Sequence, residues 1–223
     1  MARELLLRRL RHIPFRNSHN GEACEAYRRM GVSDFTGINV LQAWANWRTI
    51  PRNMSDVLPA RPLMVVDLCC AIGQSTAVLA HYCPPGSRFL GLESSEEFVT
   101  IARQTAFRTR DGRRADAEFH AQDVLKPFGD GDGQIVRSGS VDLVNCSGAI
   151  GCHFAPQDTA RLVGEVRRVL AAGGLAMLDS GREGTGARTL REIAEASDLS
   201  YLHRVRSCLA DPRWQLCFRK VGH

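Results

Sequence analysis

Residues 65–76 read VVDLCCAIGQST. An apolar run ends in an acid, passes two adjacent cysteines, and reaches a polar stretch that opens like a helix. A strand that turns this tightly into a helix is the usual start of an open α/β sheet, and ligands of such sheets bind at that turn. The reading of the whole chain rests on what this turn can hold.

The pattern on either side agrees. From residue 62 onward, apolar runs of strand length alternate with amphipathic stretches of helix length. LMVVDL (63–68), FLGLE (89–93), AEFHA (117–121), VDLVNCS (141–147) and LAMLDS (175–180) read as strands. GQSTAVLAHYC, SEEFVTIARQTAF with Ser95 as N-cap, QDTARLVGEVRRVLAAGG and TLREIAEASDL read as helices. In the third of these, Leu162, Val166, Val169 and Leu170 share a face, and Gly173-Gly174 is expected to stop it. LHRVRS and RWQLCFRK close the chain as two more strands. The alternation implies right-handed crossovers and a doubly wound, mostly parallel seven-stranded Rossmann-like α/β sheet, with the last strand expected to run antiparallel.

The first sixty residues have another texture, which sets the expected organisation: a helical N-terminal lid over 1–60 and a Rossmann-like domain over 61–223. Leu6, Leu10 and Ile13 recur at helical spacing before Pro14. EACEAYRRMG predicts a short helix, and INVLQAWANWRTIP a longer one ending near Pro51. This segment holds nine arginines against five acids, four of the net five positive charges of the 223-residue chain. A basic segment of that kind attracts nucleic acid, anionic lipid or an acidic substrate, or is simply a solvated helix face.

Composition narrows the field further. No apolar run approaches the roughly 20 residues needed to span a bilayer, and arginines interrupt the apolar start, as no secretory leader would. The eight cysteines form no CxxC, so neither a zinc site nor any other metal centre is expected. They read as reduced thiols of a cytoplasmic protein. Lysine occurs only at Lys126 and Lys220 among 29 basic residues, a bias that suggests a GC-rich bacterial genome.

Two common cofactor loops do not fit. Aligned on G-x-G-x-x-G, the turn places Cys69, Ala71 and Gln74 at the glycine positions, too bulky for the close approach of a pyrophosphate. No GK[ST] follows, so it is not a Walker loop. The stretch instead resembles motif I of class I S-adenosylmethionine-dependent methyltransferases, D-x-G-x-G-x-G after the first strand. Asp67 leads it, and Cys69, Ala71 and Gly73 stand at the glycine positions with Cys70 between them. Four later stretches resemble that family in register. FLGLESSEEF places Glu93, with Ser94, where an acid holds ribose hydroxyls. AQDVLKPF places Asp123 and Val124 by the adenine. SVDLVNCSGAIGCHF resembles the fourth strand and its loop, with Cys146 at the strand end. EVRRVLAAGGLAMLDS resembles the helix and fifth strand of the small-molecule members.

The resemblance implies an enzyme that transfers a methyl group from S-adenosylmethionine, leaving S-adenosylhomocysteine, to an oxygen or nitrogen of a small-molecule acceptor. Such chemistry needs alignment and exclusion of water more than a fixed triad. His153 is the candidate base, and Asn145, Ser147, Asp179 and Glu183 fall near the same strand ends. Tyr27, Trp44, Trp47 and Arg48 are the candidate lid and substrate contacts, with docking of the two tryptophans onto the sheet as the structural alternative. Expected partners are the acceptor alone, without nucleic acid or membrane, and a homodimer is left open. Two alternatives stay beside this reading: a non-catalytic module that only holds S-adenosylmethionine, and an RNA or protein methyltransferase.

Overall fold

A computed structural model describes residues 25–55, 57–131, 133–208 and 211–222; the N-terminal Leu6–Ile13 periodicity and its arginines lie outside the described residues. A short helical turn at 25–28 precedes α1 (Val32–Met54). The elements then alternate: β1 (Met64–Leu68), α2 (Gln74–Tyr82), β2 (Arg88–Glu93), α3 (Glu96–Gln104), β3 (Asp116–Ala121) and β4 (Val141–Cys146). A single turn α4 (Ile150–His153), then α5 (Pro156–Val169), β5 (Leu170–Ser180), α6 (Ala187–Glu195), β6 (Leu199–Cys208) and β7 (Asp211–Lys220) complete the chain.

The seven strands form one sheet in the order β3-β2-β1-β4-β5-β7-β6. β1 pairs in parallel with both β2 and β4, and only β7 runs antiparallel, between β5 and β6. The doubly wound sheet read from the sequence is therefore the fold. The crossovers diverge between β1 and β4, which opens a crevice at the carboxyl end of β1.

Alternation along the buried strands divides the core into two layers. Val66 and Leu68 pack with Leu90, Leu92, Val144 and Leu178 under α5 and α6. Val65 packs with Phe89, Leu143 and Met177 under α2, α3 and the end of α1, where Ile50 and Met54 enter the core. α1 thus covers one face of the sheet. No helix among the described residues is long and apolar enough to cross a membrane.

Two boundaries differ from expectation. α1 starts six residues before Ile38 and runs three past Pro51. The proline sits in the last turn, where its missing N–H costs a single backbone bond, and the Ser55 N–H closes the helix on the Pro51 carbonyl at 3.0 Å. α5 ends at Val169, well before Gly173-Gly174, because the fully buried Leu170 is drawn into the sheet opposite Val141. The glycines instead lie within β5, where the pairing slips between Val141–Leu170 and Leu143–Leu175 and Gly173 takes φ +76°. Ser95 caps α3 as expected, accepting from the Phe98 N–H.

The crevice needs β2 to pass close to the turn after β1. Gly91 permits this, since a Cβ there would meet Phe119 at 2.4 Å and Cys70 Sγ at 2.8 Å. Gly91→Ala is expected to destabilise the fold by about 1–3 kcal/mol through overpacking, read as a lower urea midpoint at unchanged m-value.

Candidate active site

The turn after β1 is built around one buried carboxylate. Asp67 ends up fully buried, and its oxygens accept from Ser75 Oγ (2.7 Å), Thr76 Oγ1 (2.6 Å) and Asn145 Nδ2 (2.7 Å). Two donors come from the first turn of α2 and one from β4. Burial raises the Asp67 carboxyl above its usual range, while these three bonds pull it back. Asp67 does not line the crevice; it shapes the loop that does.

That loop has a specific backbone. Cys69, Ala71 and Gly73 take φ of +52°, +48° and +86°. These are the three positions where motif I carries glycine, and the left-handed conformation explains the requirement. A cysteine and an alanine hold it at a cost of roughly 1–2 kcal/mol each. Gly73 has no alternative, because a Cβ there would meet the Phe107 ring at 2.3 Å.

Glu93, at the end of β2, locks onto the loop from the side. Its Oε2 accepts from the Ala71 N–H at 3.0 Å. Its Oε1 accepts from the Ser94 N–H (2.7 Å), Ser94 Oγ (3.0 Å) and the Ser95 N–H (3.1 Å). Oε2 keeps a lone pair for one further donor.

Above this floor lies a cavity of about 670 Å³, counting the part open to solvent. Cys69, Cys70, Ala71, Glu93 and Ser94 line its floor, and Ser147, Gly148, Ala149, His153 and Phe154 one side. Tyr27, Phe35, Asn39, Gln42 and Asn46 form the roof. Other residues of the sequence reading stand off the wall. Asp123 turns its Oδ1 to its own Leu125 N–H at 3.0 Å, and Val124 is in the core. Cys146 is buried beneath Cys69, and that neighbouring thiol together with burial pushes its own up. Asp179 is buried under α4, accepting from the amides of Ala149, Ile150 and Gly151. Glu183 is exposed.

The two tryptophans lie outside both arrangements expected of them. Trp44 is 70% exposed and Trp47 49%, on the outer side of α1, where Trp47 meets His81 edge-on at 5.7 Å. Arg48 Nε donates to the Arg206 carbonyl at the surface. The residues that do face the cavity from α1 escaped the sequence reading. Asn39, Gln42 and Asn46 recur at spacings of three and four, a polar stripe on an otherwise half-apolar helix, which was the available signal.

His153 is 8% exposed, and its Nε2 lies 3.1 Å from the Tyr27 hydroxyl. Burial and the Arg213 guanidinium lower its pKa to about 4, so the imidazole is neutral at physiological pH. Arg213, from β7, also donates to Cys152 Sγ at 3.3 Å. Burial pushes the Tyr27 phenol up, so it stays protonated.

Residues 65–174 match the family model described as a methyltransferase domain. Just under half of the chain thus matches a methyltransferase domain, in line with the resemblance carried by the turn after β1. An uncharacterized 37.1 kDa protein in transposon TN4556 of Streptomyces fradiae is 33% identical over 122 residues, 54% of this chain. The chain spans about a third of that relative's length, the match covering 31% of it. Magnesium protoporphyrin IX methyltransferase from Synechocystis PCC 6803, with bound S-adenosylmethionine, superposes with a TM-score of 0.63 at 16% identity over 97% of this chain and 96% of its own. An S-adenosylmethionine-dependent methyltransferase from Mesorhizobium loti gives 0.59 at 18% over 81% and 100%. At these identities the structural likeness speaks for the fold.

The residues present fit S-adenosylmethionine, the cofactor bound in the Synechocystis structure. The loop has the left-handed backbone that motif I requires, its side chains at the cavity are small, and Glu93 has accepting capacity beside it.

The left-handed loop predicts opposite signs at neighbouring positions. Ala71→Gly is expected to be neutral or stabilising by up to about 1 kcal/mol, and Gly73→Ala to destabilise strongly, both read by thermal melting. His153 predicts a pH dependence. Its folded pKa lies below the unfolded value near 6.5, so the unfolded chain binds the extra proton between pH 4 and 6.5. The stability is fully present above pH 6.5 and is lost as pH falls towards 4, by at most about 1.4 kcal/mol per unit. His153→Gln removes that slope relative to the parent protein; identical slopes in urea titrations at pH 5 and 7 would contradict a neutral buried imidazole.

Proposed function

We propose that the protein transfers a methyl group to an oxygen or nitrogen of a small-molecule acceptor held between the loop after β4 and α1. The observation that carries this reading is the continuous cavity that joins the motif I loop and Glu93 to the Tyr27–His153 pair under one roof. The methyl donor is already activated as a sulfonium, so the chain's own residues have three tasks: to hold it, to align the nucleophile and to keep water out.

Holding falls to Cys69–Gly73 and Glu93. The Glu93 Oε2 lone pair suits a hydroxyl donor such as those of a ribose. Water is kept out by α1 and by the rings of Tyr27, Phe35 and Phe154, which supports a lid role for the described part of the N-terminal segment. Proton removal is assigned to His153. As a neutral imidazole it accepts a proton without first losing one, and Tyr27 Oη orients its Nε2. A base this weak suits a nucleophile whose proton leaves late, as the new bond to carbon forms. Cys152 is not needed as a nucleophile, and burial raises its thiol. The free thiols among the described residues support a reducing, cytoplasmic setting.

Calorimetry with S-adenosylmethionine and S-adenosylhomocysteine, with NAD and ATP as controls, tests the reading directly. The first two are expected to bind and the controls not. Glu93→Ala is expected to weaken both by about 1.5–3 kcal/mol, the worth of a hydrogen bond to a charged group. Unchanged affinity would remove Glu93 from the cofactor site. Release of S-adenosylhomocysteine with a methylated product separates an enzyme from a module that only holds the cofactor.

A further inference from the structure

The roof of the cavity is lined by uncharged amides in a definite arrangement. Asn39 Nδ2 donates to Gln74 Oε1 at 2.7 Å, and Gln42 Nε2 donates to Asn46 Oδ1 at 2.8 Å. The first pair ties α1 to the start of α2, beside the cofactor loop. The second lies over the loop after β4, where Gly148, at φ +89°, leaves room for the Gln42 side chain; a Cβ there would meet Gln42 Cδ at 2.8 Å. A carboxamide has one carbonyl and one amino group, and an amide–amide bond engages one of each. The Gln42–Asn46 pair therefore keeps one carbonyl oxygen and one amino group available to a ligand. Turning both amides over exchanges the two residues' roles but not this balance.

These groups are set deep in the fold. Gln42 is 8% exposed and Asn46 3%, yet both line the cavity. A polar group removed from water needs a partner, so the pair asks for a polar ligand edge that both accepts and donates. Around it the wall carries no lysine or arginine among the described residues. Glu93 is its one carboxylate among the described residues; it lies on the floor, bonded to Ala71, Ser94 and Ser95, and its remaining Oε2 lone pair is assigned to the cofactor. His153 is uncharged. Aromatic rings flank the same space: Tyr27 stands edge-on to Phe35 at 6.1 Å and to His153 at 5.4 Å.

Resting on the methyl-transfer reading above, the geometry points to an uncharged, ring-bearing acceptor whose polar edge carries both a hydrogen-bond donor and a hydrogen-bond acceptor, an amide, lactam or hydroxylated heterocycle read by Gln42 and Asn46. Among the described residues no lysine or arginine of the wall would meet a carboxylate or phosphate, and no carboxylate of the roof would meet an ammonium, so a charged acceptor would leave water without an ion partner at the amides. Specificity of this kind is strong because a ligand lacking the matching groups leaves buried amides unpaired.

Three probes of one size separate the cases at pH 7.5: 4-hydroxybenzamide, 4-hydroxybenzoate and tyramine, titrated by calorimetry into the full chain saturated with S-adenosylhomocysteine. The neutral amide is expected to bind at least tenfold more tightly than either ion. Gln42→Glu, and separately Asn46→Asp, place a carboxylate on the roof and are expected to shift the preference towards tyramine. Equal or tighter binding of either ion to the parent protein overturns the inference, as does binding of none of the three once S-adenosylhomocysteine is bound. In those cases the methyl-transfer reading still stands. Failure of S-adenosylhomocysteine to bind overturns that reading, and the inference with it.

Discussion

The structure depends on the hydrogen bonds made by the buried Asp67 carboxylate. It collects donors from α2 and β4 at the point where the sheet changes winding direction. The chain of bonds does not stop there. Asn145 Oδ1 accepts from Gln215 Nε2 of β7 at 2.9 Å, and Gln215 Oε1 accepts from Asn53 Nδ2 of α1 at 2.8 Å. One polar network thus joins β1, β4, β7, α1 and the start of α2, all of it buried. A buried carboxylate without these donors would carry its full desolvation cost, so the network specifies how the elements meet as well as holding them. The crevice beside it follows from that arrangement.

Departures from motif I become intelligible in that frame. The family pattern asks for glycine where the backbone is left-handed, and this chain keeps the conformation with a cysteine and an alanine. The anchoring of Asp67 on one side and of Glu93 on the other supplies the constraint that holds two non-glycine residues there. The third position has no such latitude, because Phe107 occupies the space a side chain would need. Loss of two glycines therefore leaves the loop's shape intact.

The electrostatics of the cavity are set by residues remote in sequence. Burial first, and then the charge of Arg213, itself buried and sixty residues after His153, hold the imidazole neutral. The aromatic and amide roof comes from α1 and the helical turn before it, more than a hundred residues earlier. The result is a site with a polar but uncharged upper wall over a floor whose one carboxylate is already engaged. Such a wall favours ligands by shape and matched hydrogen bonds in place of ion pairing.

The strand and helix alternation, the parallel sheet and the motif I turn were legible in VVDLCCAIGQST and its flanks, because local periodicity and burial on both faces leave few other ways to pack these segments. The placement of Cys69–Ala71, Glu93, Ser94 and His153 around one crevice was readable because strand ends in this topology converge; Tyr27 reaches it from the helical turn before α1. The ends of α1 and α5 were not, since Pro51 and Gly173-Gly174 act as stops only where tertiary pairing does not override them. Nor was it legible which face of α1 meets the sheet. Trp44 and Trp47 look like the binding face by composition, yet Ile50 and Met54 in the core turn the tryptophans outward and bring Asn39, Gln42 and Asn46 over the cavity. The sequence by itself determined the order of elements and the chemistry of the turn, which are local. The tertiary structure alone decided which side chains share the cavity and which charges reach it, because those depend on helix rotation and on partners far along the chain.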